Sequence, residues 1–143
     1  MLRFAVFLFF LIDPILLLGK WDLKFAEANF NMINSSAFQA TPKEKQDEIL
    51  EINELYLKNA VIEFRKDTVY WVDVNPREKV LVHKKGKWVV IGDTLKIFDY
   101  YKIFTYTYLV KINESNELEK RMVFPDGIIA RSKDIYTRSE SEN

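Results

Sequence analysis

The chain carries one histidine, His83, and no cysteine. Those two facts bound its chemistry. A serine nucleophile would have to take His83 as its base, and thiol catalysis, disulfides and zinc–thiolate centres are excluded. A single histidine also excludes a multi-histidine metal centre. His83 lies in the basic run His83-Lys84-Lys85-Gly86-Lys87, which reads as a solvated hairpin tip. Asp22, Glu63, Asp67, Asp73, Asp93 and Asp99 could supply a carboxylate pair. None shows metal-ligand or glycosidase spacing, and Asp67 and Asp93 fit turn positions. There is no Gly-rich phosphate loop and no Gly-x-Ser-x-Gly elbow. No catalytic residue, metal or cofactor is assigned, and a non-enzymatic protein is expected.

The residues with binding chemistry are aromatic. Tyr70, Phe104, Tyr106 and Tyr108 recur at every second position of two apolar runs. A tyrosine row gives an apolar wall with polar tips, which suits an amphipathic ligand because a buried hydroxyl needs a partner. Those four are the candidate ligand-binding residues. They predict a cavity of roughly 300 Å3 or more, the lower end for small-molecule sites. Trp21 and Trp88, each in a Gly-Lys-Trp, read instead as core residues filling the ends of the fold.

The elements that would position this row are mostly strands. At 143 residues the chain suits one domain. Its 21 basic and 21 acidic residues cancel, so no net field would draw it to nucleic acid. Aromatic residues make up 15% of the chain, which favours strands. Lys20–Ala26 alternates and predicts a first strand. Glu27–Ala40 reads as a long loop, with Phe30 and Phe38 as its exposed apolar residues. Thr41-Pro42-Lys43-Glu44 is a capping-box pattern that opens a helix running from Pro42 to about Asn59. Short alternating runs follow at about 8–12-residue spacing: Ile62–Arg65, Thr68–Val74, Val80–Lys84, Lys87–Ile91, Thr94–Asp99, Tyr101–Ile112, Leu118–Phe124 and Ile128–Arg131. On Thr68–Val74 the face Tyr70, Val72, Val74 is assigned inward. About eight or nine strands in hairpin order would leave two exposed edges unless the sheet closed. The expected fold is mainly β: an antiparallel up-and-down barrel over 19–138, with one helix after the first strand, monomeric, followed by a disordered tail at 139–143.

Residues 1–18 carry Arg3 ahead of the apolar run Phe4–Ile12, the pattern of a secretory signal or a retained apolar segment. The run is short for a bilayer span. Leu17-Leu18-Gly19 resembles the start of a lipobox, but Lys20 stands where the lipid-bearing cysteine would be, so diacylation there is excluded. The expectation is a secreted or periplasmic protein that is not a lipoprotein.

The ordered set Gly19-Lys20-Trp21, a helix, Ile62-Glu63-Phe64-Arg65-Lys66-Asp67-Thr68-Val69-Tyr70, and Gly86-Lys87-Trp88 through Gly92-Asp93-Thr94-Leu95 resembles the small secreted lipocalin-like domain proteins of Bacteroidetes. The resemblance covers roughly 19–112. Thr68 stands where those proteins commonly have glycine, and their lipobox cysteine is absent. It implies a calycin-like barrel, and most members have no assigned activity. The function expected is binding of a small apolar or amphipathic molecule in the barrel. The alternative is a protein-interaction module of the cell envelope, with an envelope protein as partner.

Overall fold

Alternation of apolar and polar residues builds eight strands that pair in chain order and close on themselves. In the computed structural model, which describes residues 12–140, they are β1 (Gly19–Ala26), β2 (Val61–Phe64), β3 (Thr68–Asn75), β4 (Val80–Ile91), β5 (Thr94–Asp99), β6 (Thr105–Ile112), β7 (Leu118–Val123) and β8 (Asp134–Arg138). Each pairs antiparallel with the next, and β8 pairs with β1, giving a closed up-and-down barrel. Closure removes the two sheet edges that an open sheet would expose. Residues 1–11 of the expected export segment and 141–143 of the expected tail lie outside the described residues.

Among the described residues the three α-helices, α1 (Glu27–Ile33), α2 (Ser36–Gln39) and α3 (Lys43–Asn59), lie in the β1–β2 connection. α3 is the expected helix. The expected loop before it is instead α1 and α2. Ser35 caps α2, its hydroxyl accepting from the Phe38 amide at 3.2 Å. Phe38 is buried while Phe30 stays exposed against Phe25, so the two do not make one surface patch. The capping box does not form. Thr41 Oγ1 donates to the Ala37 carbonyl at 2.9 Å, closing α2 rather than opening α3. Gln46 instead ties the helices together, its amide donating to the Phe38, Gln39 and Thr41 carbonyls at 3.0, 3.2 and 2.9 Å.

The floor of the barrel is dry and packed. Trp21, Phe64, Val69, Leu95 and Leu118 are almost fully buried, joined by Trp88 and Val110. Burying one such side chain contributes about 1.5–3 kcal/mol. Phe64 meets Trp88 edge-on at 5.0 Å. A turn of 3-10 helix at Pro14–Leu17 plugs the floor from below. Its Leu17 is fully buried, and its carbonyl accepts from the Trp21 indole at 2.9 Å. Arg138 lies 4.2 Å over the Trp21 ring and donates to the Leu16 and Leu18 carbonyls. Both tryptophans are therefore core, as expected, but both serve the floor rather than one end each.

Three expectations about the strands are corrected. The hairpin tip expected at His83–Lys87, with its turn at Lys85-Gly86, does not form: β4 runs through it unbroken, and His83 is an exposed mid-strand residue. Gly86 is there because a Cβ would strike the Phe98 carbonyl and come within 3.3 Å of the Trp71 ring. The strand expected from Tyr101 begins at Thr105, because the Asp99 carboxylate accepts from the Tyr101 amide at 2.8 Å and starts a tight loop. Residues 128–131 contribute only the bridge Val123–Ile129, and the closing strand is β8.

Candidate functional site

Above the floor the barrel changes character. The pairs Ile62–Trp71 and Trp71–Lys84, and then Ile97–Tyr106, Tyr108–Met122 and Lys120–Asp134, place aromatic and charged residues on the inner wall. Lys84 and Asp99 face each other there, both buried, with Nζ to Oδ2 at 2.7 Å. The Tyr106 hydroxyl stands 3.3 Å from Lys84 Nζ and 3.4 Å from Asp99 Oδ2, so it can accept from one and donate to the other. Burial opposes charge on both groups. The hydrogen bonds and the mutual attraction win, holding the lysine above and the carboxyl below its ordinary value. This is a satisfied structural cluster. Trp71 packs edge-on to Tyr106 at 6.0 Å and lies under Lys84.

Beside this cluster is an unfilled interior space of about 200 Å3, lined among others by Trp71, Ile97, Tyr106, Tyr108, Lys120 and Tyr136. Tyr56 of α3 also lines it, over the rim of the barrel. Burial pushes the Tyr56, Tyr108 and Tyr136 phenols up, so all three remain hydroxyl donors at physiological pH. Asp73, at the end of β3, lines this space, the groove under α3 and an open cleft of about 610 Å3 between the β3–β4 end and the Tyr101–Lys102 loop. The interior space is smaller than the 300 Å3 expected.

The four candidate residues separate. Tyr106 and Tyr108 line the space. Phe104 sits in the loop before β6, half exposed, with its ring 4.7 Å from that of Tyr106. Tyr70 is on the outer wall, where its ring is covered by Arg65 at 4.4 Å and Lys85 at 5.8 Å. The inner face of β3 is Val69, Trp71 and Asp73, one residue out of step with the face assigned. Both faces of β3 carry apolar residues: Val74 lines the groove under α3, and the Tyr70 ring lies on the outer wall beneath the Arg65 guanidinium and the Lys85 ammonium. Alternation therefore did not decide the side. Trp71, Lys120 and Tyr56 were missed. Reading β4 as one strand gives the missing signal, since Trp88, Gly86 and Lys84 then share the inner face.

Among the described residues no group of histidine or acidic side chains could hold a metal ion. No helix among them is long and apolar enough to cross a membrane. The eight-stranded barrel is compatible with a calycin-like fold. Neither a family model nor a curated protein matches the chain.

Proposed function

We propose that this is a lipocalin-like binding protein whose upper barrel holds a small amphipathic organic molecule, without catalysis. The observation that supports this is the division of the interior: a dry, filled floor below, and above it an unfilled space of about 200 Å3 with an aromatic wall and polar tips. That volume is the liquid-water share of about seven waters, so the ligand is compact rather than long-chained. The ordered motifs of the lipocalin-like group agree with the barrel order, and the apolar N-terminal run agrees with export to the periplasm or beyond. We put any processing site ahead of Asp13, a reading supported by the burial of Leu17.

Native mass spectrometry of protein purified from its own source tests the reading. A retained small organic ligand is expected in the wild type and is expected to be lost in Ile97→Phe, which fills the space. Ligand-free protein throughout, with no small amphiphile raising the melting temperature, would sink it. The second reading, an interaction module of the envelope, has support from exposed Tyr101, Ile103 and Ile128 on the loops at the open end. Ile103→Ser with Ile128→Ser should then abolish partner capture and leave small-molecule binding intact.

A further inference from the structure

The upper barrel holds two lysines in very different states. Lys84 is neutralised where it stands, by Asp99 at 2.7 Å and the Tyr106 hydroxyl at 3.3 Å. Lys120, on β7, is not. Its ammonium lies 4.2 Å from the centre of the Tyr108 ring and 5.2 Å from that of Tyr136. Among the described residues no carboxylate reaches ion-pair distance of it and none of its N–H bonds finds a protein acceptor. Ring faces attract the charge but accept no proton in the way a carboxylate does. A half-buried ammonium facing unfilled space, with three donors and two aromatic walls, is prepared for an anion.

We propose that Lys120 anchors the acidic head of a small organic monocarboxylate whose apolar body lies against Ile62, Trp71, Ile97 and Met122. The proposal rests on the reading of the upper barrel as a ligand site and names the ligand's class. The surroundings agree with it. Tyr56 from α3, Tyr108 from β6 and Tyr136 from β8 stay protonated through burial, so they present hydroxyls rather than negative charge. Asp134 is the acid that faces Lys120 from β8, and it makes no ion pair with it; burial pushes its carboxyl up and Lys120 pulls it partly back. Asp73 at the mouth is the one acidic residue among the side chains lining the space. The apolar residues set the body's size, since the space of about 200 Å3 leaves no room for a long chain.

Hexanoate and 1-hexanol have matched bodies and differ in the head. Calorimetric titration of the full chain with each is the test, with Lys120→Met, Lys120→Gln and Lys120→Arg alongside. Hexanoate is expected to bind about tenfold or more tighter than 1-hexanol, as a charge-assisted hydrogen bond allows. Lys120→Met is expected to erase that preference with 1-hexanol unchanged, and Lys120→Arg to keep most of it. Lys120→Gln replaces the methionine variant should that one fail to fold. Equal affinities in the wild type, or an undiminished preference for hexanoate in the Met or Gln variant, would overturn the anchor while leaving the ligand site standing. Binding of neither probe would bring down both.

Discussion

Lys84 and Asp99 show what a buried charge requires. Each alone would be a desolvated ion, and together with Tyr106 they satisfy one another. Removing one partner leaves the other uncompensated, which costs about 3–5 kcal/mol, whereas replacing both by apolar groups is often close to neutral. Lys84→Met and Asp99→Leu are therefore each expected to lower stability by that amount. The double variant should recover most of the loss, as measured by urea unfolding of all four proteins. The pair also sets a pH window. Asp99 supports the fold above the ordinary carboxyl value of 3.8 and loses that support as pH falls through its depressed folded value. Lys84 supports it below 10.5 and loses it as pH rises through the raised folded value. None of this was legible from residue type. His83-Lys84-Lys85-Gly86-Lys87 reads as a charged tip, and only the packing of Trp71 against Gly86 shows that alternate members point inward. Tyr106 and Tyr108 were legible because β6 has one clearly apolar face. Tyr70 was not, because β3 has two.

At the scale of elements, the clearest finding is that the turn at Pro14–Leu17 belongs to the barrel. Asp13 caps it, accepting from the Ile15 amide at 3.0 Å, with Pro14 at its first position. Leu17 fills the floor, and Arg138 from β8 binds the turn's carbonyls while covering Trp21. Leu17→Ala is expected to cost about 2–5 kcal/mol by emptying a core position. A chain starting at Gly19 is expected to melt well below one starting at Ile12, as followed by circular dichroism. Equal melting of the two truncations would remove the turn from the account of the core. The sequence showed Asp13-Pro14 as an interruption of an apolar run. It did not show that the residues after the interruption pack into the barrel floor, because a cap and a signal-peptide flank use the same residue types. β8 was hidden for a related reason: Asp134–Arg138 alternates over only five residues, and two of the three on its inner face, Asp134 and Arg138, are charged.

For the whole molecule, closure was legible because strand count and hairpin order leave an open sheet with edges it would have to protect. The division into a dry floor and a polar upper half was not, since it depends on which charged residues face inward. That division makes the barrel's acid response a sum of opposed parts. Asp99, Glu117 and Glu119 hold protons less tightly in the fold than in the unfolded chain. Asp99 does so against burial through Lys84. Glu117 does so through Lys24 and Asn113, and Glu119 mainly through Lys133. Each therefore supports the fold above its ordinary value, and that support is lost as pH falls through the depressed one. Asp134 has the opposite sign. Burial raises it and Lys120 only partly restores it, so the folded state favours the protonated form. Its contribution is favourable below the ordinary carboxyl value of 3.8 and turns into a cost as pH rises through the raised folded value. Asp134→Asn is thus expected to raise stability at pH 7 and to lose that advantage as pH falls from the raised folded value of the wild-type carboxyl to the ordinary 3.8. Urea unfolding of the two proteins across that range checks it. The advantage should be larger in a Lys120→Gln background, because the cation that eases Asp134's charge is then gone. A gain that is independent of pH would mean that the asparagine acts through packing, and Asp134 would no longer count as an ionised cost of the polar upper barrel.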